Sequence, residues 1–376
     1  MQSPELFAAL TNRSILDQRF ATSLSDETIS MLNDMAKYLR DRLSREGDTI
    51  KNTERLNALL SDVTKKLDSI YSDINELYIE QFKGLTYEEG EFVAKSMQSV
   101  VVSDVVVESV SNQRLWAAVT KNPMRIGAKN SYVDFAEMID SLGDNAKLVT
   151  NTIAGGYANS LTLQEITQSI IGTRSQNYTD GILDKSRREA QSIIRTSVNH
   201  IANESRSEVF KQNSDIVYGY TIAATIDVRT SEVCRFYDGK TYRYDARVQP
   251  MPPFHYGCRT QVYPEIYGAS LADTGATRAV NFKAQPDVKA GKVGQVDAQR
   301  QYYDILKQQP AAQQDLVLGK ARGLIFRNSG LSADEFRNAL TNSMGQPLTL
   351  AEMASENKKI LEYMQSNKFL SGYIDD

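Results

Sequence analysis

Both cysteines of this 376-residue chain, Cys234 and Cys258, and one of its two histidines, His255, fall in a single stretch, Asp227–Arg259. Thiols and imidazoles ligate soft metals or serve as nucleophile and base, so this is where chemistry would sit. The residue types allow three arrangements. In the first, Cys234, His255 and Cys258 hold a zinc ion, with Asp227 or Asp238 as the nearest fourth ligand. The His255–Cys258 spacing suits a local clamp, although the chain has no Cys-x-x-Cys pair. In the second, the two cysteines form a disulfide, which a reducing cytoplasm disfavours and a late oxidation in an extracellular particle would permit. In the third, all three side chains are packed and hydrogen-bonded. Asp227 then takes Arg229 or the backbone N–H groups after it, and Arg259 clamps a carboxylate or a carbonyl. This packed reading is preferred. In every case the stretch fixes a loop-rich β-unit with little apolar material of its own.

A catalytic reading has less support. The chain contains no His-Glu-x-x-His, Gly-x-Ser-x-Gly, Walker A or Gly-x-Gly-x-x-Gly motif. A histidine three residues from Cys258 on a turn is not the usual placement of a base beside a thiol nucleophile.

The elements that position the stretch follow from periodicity. A helix is expected from a capping box at Ser186 and Glu189. Its inner face is Ala190, Ile193, Ile194, Val198, Ile201, Ala202, Val209 and Phe210. Its outer face carries Arg187, Arg188, Arg195, Arg206 and Lys211, diluted by Glu189, Glu204 and Glu208. A solvated face with helical ion pairs is preferred over a DNA-facing stripe, and His200 reads as structural. Strand composition from Ile216 to Thr225, then the Asp238-Gly239 turn between ArgPheTyr and ThrTyrArgTyr, predicts a β-hairpin in a small unit over residues 216–265.

Upstream, Ser25 is expected to cap a helix ending at Gly47. Leu60, Val63, Leu67, Ile70, Ile74 and Leu77 form the heptad seam of a second helix, closed by Gly84 and pairing as an antiparallel hairpin. Residues 86–110 read as a further helix. Trp116 reads as a core anchor, and Pro123 and Gly127 mark a turn. A helical pattern from Tyr132 to Ile153 is broken at Gly155-Gly156. Thr162 and Glu165 then box a short helix closed by Gly172. Downstream, residues 285–296 read as a linker or arm. A helix starts at Tyr302 and yields at Pro310. Ser332/Glu335 cap another, and Thr349/Glu352 a last one.

Composition sets outer limits. A net charge of −4 argues against coating nucleic acid by bulk charge, and 41% hydrophobic residues support a true core. Two cysteines exclude a disulfide-rich secreted scaffold. No secretory signal or membrane-spanning run is read, so folding in a reducing cytoplasm is expected, which under the resemblance given below would be that of a host cell. The expected class is α+β, mostly α-helical, with a small β-hairpin unit clasped by Cys and His. The expected regions are a helical hairpin or bundle over 1–110, able to dock on a partner; a core over 111–268 ending in the β-knuckle; a linker or arm over 269–300; and a helical region over 301–376.

The central stretch resembles the signature of the Mu protein F-like head morphogenesis family, minor head proteins of tailed bacteriophages. The matching positions are Asp227, Arg229, Thr230, Cys234, Asp238, Gly239, Lys240, Pro253, His255, Cys258 and Arg259. Some members carry cysteines where this chain has Ser231 and Thr260. The helix around Ile193–Asn203, the segments Lys121–Gly127 and Leu161–Gly172, and the region from Tyr302 to Ser332 are similar to the same family. The resemblance spans roughly residues 111–355. It implies a low-copy structural protein of the virion, in the capsid interior near the portal. Its implied partners are the portal protein, capsid or scaffolding proteins and genomic double-stranded DNA, and its role would be in head assembly, DNA packaging or DNA ejection. The alternative is a metal-dependent hydrolase or nuclease acting on DNA, with Cys234, His255 and Cys258 as ligands.

Overall fold

The computed structural model describes residues 4–126, 131–268, 275–282, 294–342 and 347–374. Two long helices, α1 (Pro4–Ser44) and α2 (Thr53–Gln98), form an antiparallel hairpin. Arg42 reaches Asp62 near the tip, and Arg13 meets Glu89 near the open end. Neither Ser25 nor Gly84 interrupts a helix. The Ser25 hydroxyl donates to the Ala21 carbonyl one turn back, and Gly84 lies inside α2. The buried stripe runs on through both sites, by way of Ser25 and Thr28 between Leu24 and Leu32, and of Leu85, Thr86 and Glu89 between Phe82 and Val93. Tertiary packing there outweighs a local stop signal worth about 1 kcal/mol. Helix α2 ends at Gln98, so the expected helix over 86–110 is the last part of α2 followed by irregular chain. The β-branched run after Val100 disfavours helix.

Four shorter helices follow: α3 (Asn112–Lys121), α4 (Phe135–Asp140), α5 (Asp144–Ala158) and α6 (Leu163–Ile171). Trp116 is half-buried, edge-on to Phe135 with the Lys83 ammonium over its ring. Of the expected turn at Pro123 and Gly127, Gly127 lies outside the described residues. Gly155 and Gly156 do not break the helix; both belong to the last turn of α5. A Cβ on Gly156 would come within 2.4 Å of Ile166, so the missing side chain lets α6 pack against α5. The Thr162/Glu165 capping box is formed, and Gly172 ends α6 at φ 97°.

The long helix α7 (Ile182–Gln212) starts one turn before the expected box, and the Ser186 hydroxyl donates to the Ile182 carbonyl inside it. From Thr196 to Phe210 every residue of α7 is buried. Over that span the expected outer face, with Glu204, Arg206 and Glu208, is covered by α1, α2, α3 and a strand, making α7 the axis of the molecule.

Two small sheets flank the far end of α7. Strands β1 (Val217–Ala223), β3 (Thr241–Arg243) and β4 (Gln261–Ile266) form an antiparallel sheet in the order β3-β1-β4. The strand β2 (Ile226–Asp227) pairs in parallel with β5 (Thr277–Asn281), which pairs antiparallel with β6 (Gly294–Asp297). The expected local hairpin at Asp238-Gly239 does not form. ArgPheTyr belongs to a short helix, α8 (Glu232–Tyr237), whose N-cap is Ser231. The turn passes the chain from α8 into β3, whose partner is β1. Much of the expected linker lies outside the described residues; its described ends include β5 and β6. Among the described residues, six short α-helices follow: Tyr302–Lys307, Ala311–Leu318, Lys320–Asn328, Ala333–Leu340, Leu350–Glu356 and Lys358–Ser366. Capping boxes stand at Ser332/Glu335 and Thr349/Glu352, and one more helix follows the latter.

The α+β class is borne out. One core joins α1 and α2 to α3–α7. A second gathers the start of α1, the end of α2 and the end of α7 onto the first sheet. A third fills the C-terminal helices and their contact with β2 and β5. Among the described residues no helix is long and apolar enough to cross a membrane.

Candidate functional site

The clasp is built from α7 outward. Thr196, Asn199 and Asn203 recur along one side of that helix and bind the backbone of the loop that carries His255 and Cys258. The Gly257 N–H donates to the Thr196 hydroxyl (2.8 Å), and Asn199 and Asn203 both donate to the Thr260 carbonyl (2.9 and 3.1 Å). The Val262 N–H donates to the Asn203 side chain (2.9 Å), which sets the start of β4. Sorting this helix into an apolar and a charged face leaves these three polar residues unassigned. Their three-and-four spacing was the available signal.

On this support the two cysteines and the histidine meet. The Cys234 sulfur lies 3.2 Å from His255 Nε2 and 3.6 Å from the Cys258 sulfur; both cysteines are free and buried. The three donor atoms all lie within 4.8 Å of one another. His255 Nδ1 is 2.9 Å from the Tyr256 carbonyl. A proton on Nδ1 donates to that oxygen and leaves Nε2 toward the sulfurs. Burial pushes the Cys234 thiol well above its usual range, and the adjoining Cys258 adds to this. Burial acts the same way on Cys258, but hydrogen bonds from Cys234 and His255 outweigh it and hold that thiol well below its usual range. Burial likewise opposes a charge on His255, yet Cys258 prevails and raises it. The two shifts together favour negative charge on Cys258 and positive charge on His255.

Neither aspartate considered as a fourth ligand belongs to the trio. Asp227 accepts a two-pronged bond from Arg259 (2.7 and 2.8 Å), the Arg229 N–H (3.0 Å) and the Thr230 hydroxyl (3.1 Å). Burial alone would raise its carboxyl, but Arg259 lowers it. Asp238 is fully buried elsewhere. It accepts from the Ala224 and Tyr302 N–H groups (both 2.7 Å) and from Arg278. It thereby ties the first sheet to the second and to the C-terminal helices. Arg278 and Tyr302 stand forty and more residues from Asp238, and no local pattern announces them.

The remaining signature positions are structural neighbours of this frame. Gly239 has φ 75°, the left-handed turn that follows α8. The Lys240 ammonium sits 3.1 Å from the Phe236 ring centre, and burial lowers its pKa to about 8. Pro253 is buried.

A cleft of about 460 Å³ opens beside the trio. It is lined by Cys234, His255, Thr230, Arg195, Arg229 and Arg259, and by Gln18 and Thr22 of α1. The arginines considered as a DNA-facing set do not form one surface. Arg195 is exposed at the cleft, Arg188 is exposed and paired with Asp184, and Arg187 is half-buried against Asn33 (2.8 Å). Arg206 is fully enclosed between Glu89 and Asp17, so it cannot face DNA. Two long helices cover the side of α7 on which it lies.

Residues 146–263 match the family model described as Phage Mu protein F like protein. The matched segment contains α7, the clasp and most of the first sheet. No match to a curated protein or to a solved structure was found.

Proposed function

From the premise that this chain is a Mu protein F-like phage head morphogenesis protein, we propose that it is a minor head protein of a tailed phage, placed in the capsid interior near the portal. Its proposed partners are the portal protein and capsid or scaffolding proteins, with genomic double-stranded DNA as a further contact. Its role is in head assembly and in packaging or ejection of the genome. The observation that carries this reading is the family match over a segment whose signature residues hold the fold together: Asp227 to Arg259, Asp238 to Arg278 and Tyr302. The α1–α2 hairpin lies outside the matched segment, and we assign docking on the partner assembly to it. Particles made without this protein test the reading. The expected result is reduced packaging or delivery of genomes, with the protein present in purified wild-type virions. Normal delivery, together with its absence from virions, would overturn it.

One observation favours the hydrolase alternative: Cys234 and His255 of the trio border an open, arginine-lined cleft. His255→Ala separates the two. Loss of assembly supports the head role, whereas normal particles that have lost a DNA-cleaving activity support catalysis.

A further inference from the structure

We propose that Cys234, His255 and Cys258 form a zinc site with one coordination position open to the cleft, and that this position takes a phosphate-type oxygen.

The geometry of the donors points to a metal. With zinc–sulfur bonds of about 2.3 Å and zinc–nitrogen bonds of about 2.0 Å, a tetrahedral centre sets two sulfurs about 3.8 Å apart and sulfur and nitrogen about 3.6 Å apart. The two sulfurs here are 3.6 Å apart, and Cys234 Sγ is 3.2 Å from His255 Nε2, so small outward movements admit the ion. A disulfide needs sulfurs about 2.05 Å apart, far closer than these. The bond from His255 Nδ1 to the Tyr256 carbonyl is the outer contact that orients a metal-binding histidine and leaves Nε2 as the donor. The donors also come from two separately anchored segments. Cys234 sits in the first turn of α8, its N–H on the Ser231 cap (3.4 Å). His255 and Cys258 sit on the loop that Thr196 and Asn199 bind to α7. Mutual support of this kind holds three ligands together before the ion arrives.

The donor count points to the open position. Structural zinc sites close with four protein ligands, whereas sites with three leave the fourth to solvent or a bound molecule. Among the described residues the cluster has three members, and Asp227 and Asp238 are both engaged elsewhere. Cys234 and His255 border the cleft, whose rim carries Arg195 and Arg229. Arg195 is exposed, and the Arg229 side chain is 78% exposed. Two exposed guanidiniums beside a zinc ion, that of Arg229 3.7 Å from Asp227, recognise an oxyanion. That oxygen can come from a free phosphate or from a nucleic-acid backbone. The inference does not depend on the assembly role proposed above.

Cobalt substitution of the full-length protein tests both parts. The chelator-stripped chain, shown to be folded by circular dichroism, is titrated with cobalt. One equivalent per chain is expected, with thiolate-to-cobalt charge-transfer bands, intense tetrahedral ligand-field bands, and two thiols shielded from a thiol reagent until the metal is removed. Cys258→Ser should abolish the charge-transfer bands or shrink them. Should that variant not fold, the wild-type stoichiometry and thiol protection still decide the metal. Folded protein that binds less than one equivalent, with both thiols freely reactive, overturns the site. For the open position, inorganic phosphate or a short duplex oligonucleotide is added to the cobalt form. Shifted ligand-field bands are expected, with affinity about tenfold or more weaker in the Arg195→Ala/Arg229→Ala variant. A shift by phosphate alone identifies the free ion, and a shift by the duplex at far lower phosphate concentration identifies the nucleic-acid backbone. Bands indifferent to both overturn the open position.

Discussion

Arg206 lies with Glu89 and Asp17 in a closed pocket between α7, α2 and α1, and Arg13 completes the group from the rim. Buried charges need partners, and breaking such a set costs more than making it gains. Both Asp17 carboxylate oxygens lack a hydrogen-bond donor. Burial, with Glu89 second, pushes the Asp17 carboxyl up to about 8, and the nearby Arg206 only partly opposes this. The sign of the pH dependence follows. Folded protein keeps a proton on Asp17 that the unfolded chain releases near pH 4. The folded state thus binds more protons between about pH 4 and 8, and stability falls as pH rises through that window. Asp17→Asn mimics the protonated form and should flatten this slope, leaving the variant at least as stable as wild type at pH 8. Thermal melts across pH 4–8 check this; parallel slopes for the two proteins would contradict it.

At the scale of elements, glycines that look alike in sequence have opposite roles. In β1, a Cβ on Gly219 would fall 2.2 Å from the Tyr242 carbonyl oxygen and 3.0 Å from the Arg243 Cα, both on the backbone of the edge strand β3. Backbone cannot rotate aside as a side chain can. Gly219→Ala should therefore displace β3 and cost about 1–3 kcal/mol. In α2, a Cβ on Gly84 meets nothing within 4 Å. Gly84→Ala should stabilise the helix by up to about 1 kcal/mol, because alanine loses less backbone entropy there. Urea unfolding of the two variants gives the test: opposite signs are expected, and equal effects would show that local packing does not set them.

At the scale of the whole molecule, the helical hairpin and the matched segment are not separate cores. Leu6, Phe7 and Leu10 of α1 pack with Val93 and Met97 of α2 against Val209, Phe210 and the first sheet. Phe7 stacks on Tyr263 of β4 with ring centres 4.3 Å apart. A fragment of residues 111–376 would expose the buried sides of α7, including Arg206. It should fail to unfold cooperatively and be cut rapidly by protease under conditions where the full chain survives. A protected, cooperatively melting fragment would contradict the shared core.

The residue types in Asp227–Arg259 determined where to look, and the period of the apolar residues determined that helices dominate. The capping boxes at Thr162, Ser332 and Thr349 were legible because a cap is a contact between residues three apart, which local sequence contains in full. The start of α1, the end of α2 and the start of α7 were not. A serine or glycine offers a stop worth about 1 kcal/mol, and a continuous buried stripe overrides it. Asp227 and Asp238 were equally plausible metal ligands in the sequence. Only the tertiary structure engaged one with Arg259 and the other with Arg278 and the Tyr302 N–H. The same holds for Arg206. Helical period says which residues share a side but not which side meets water, because that depends on what other elements cover it.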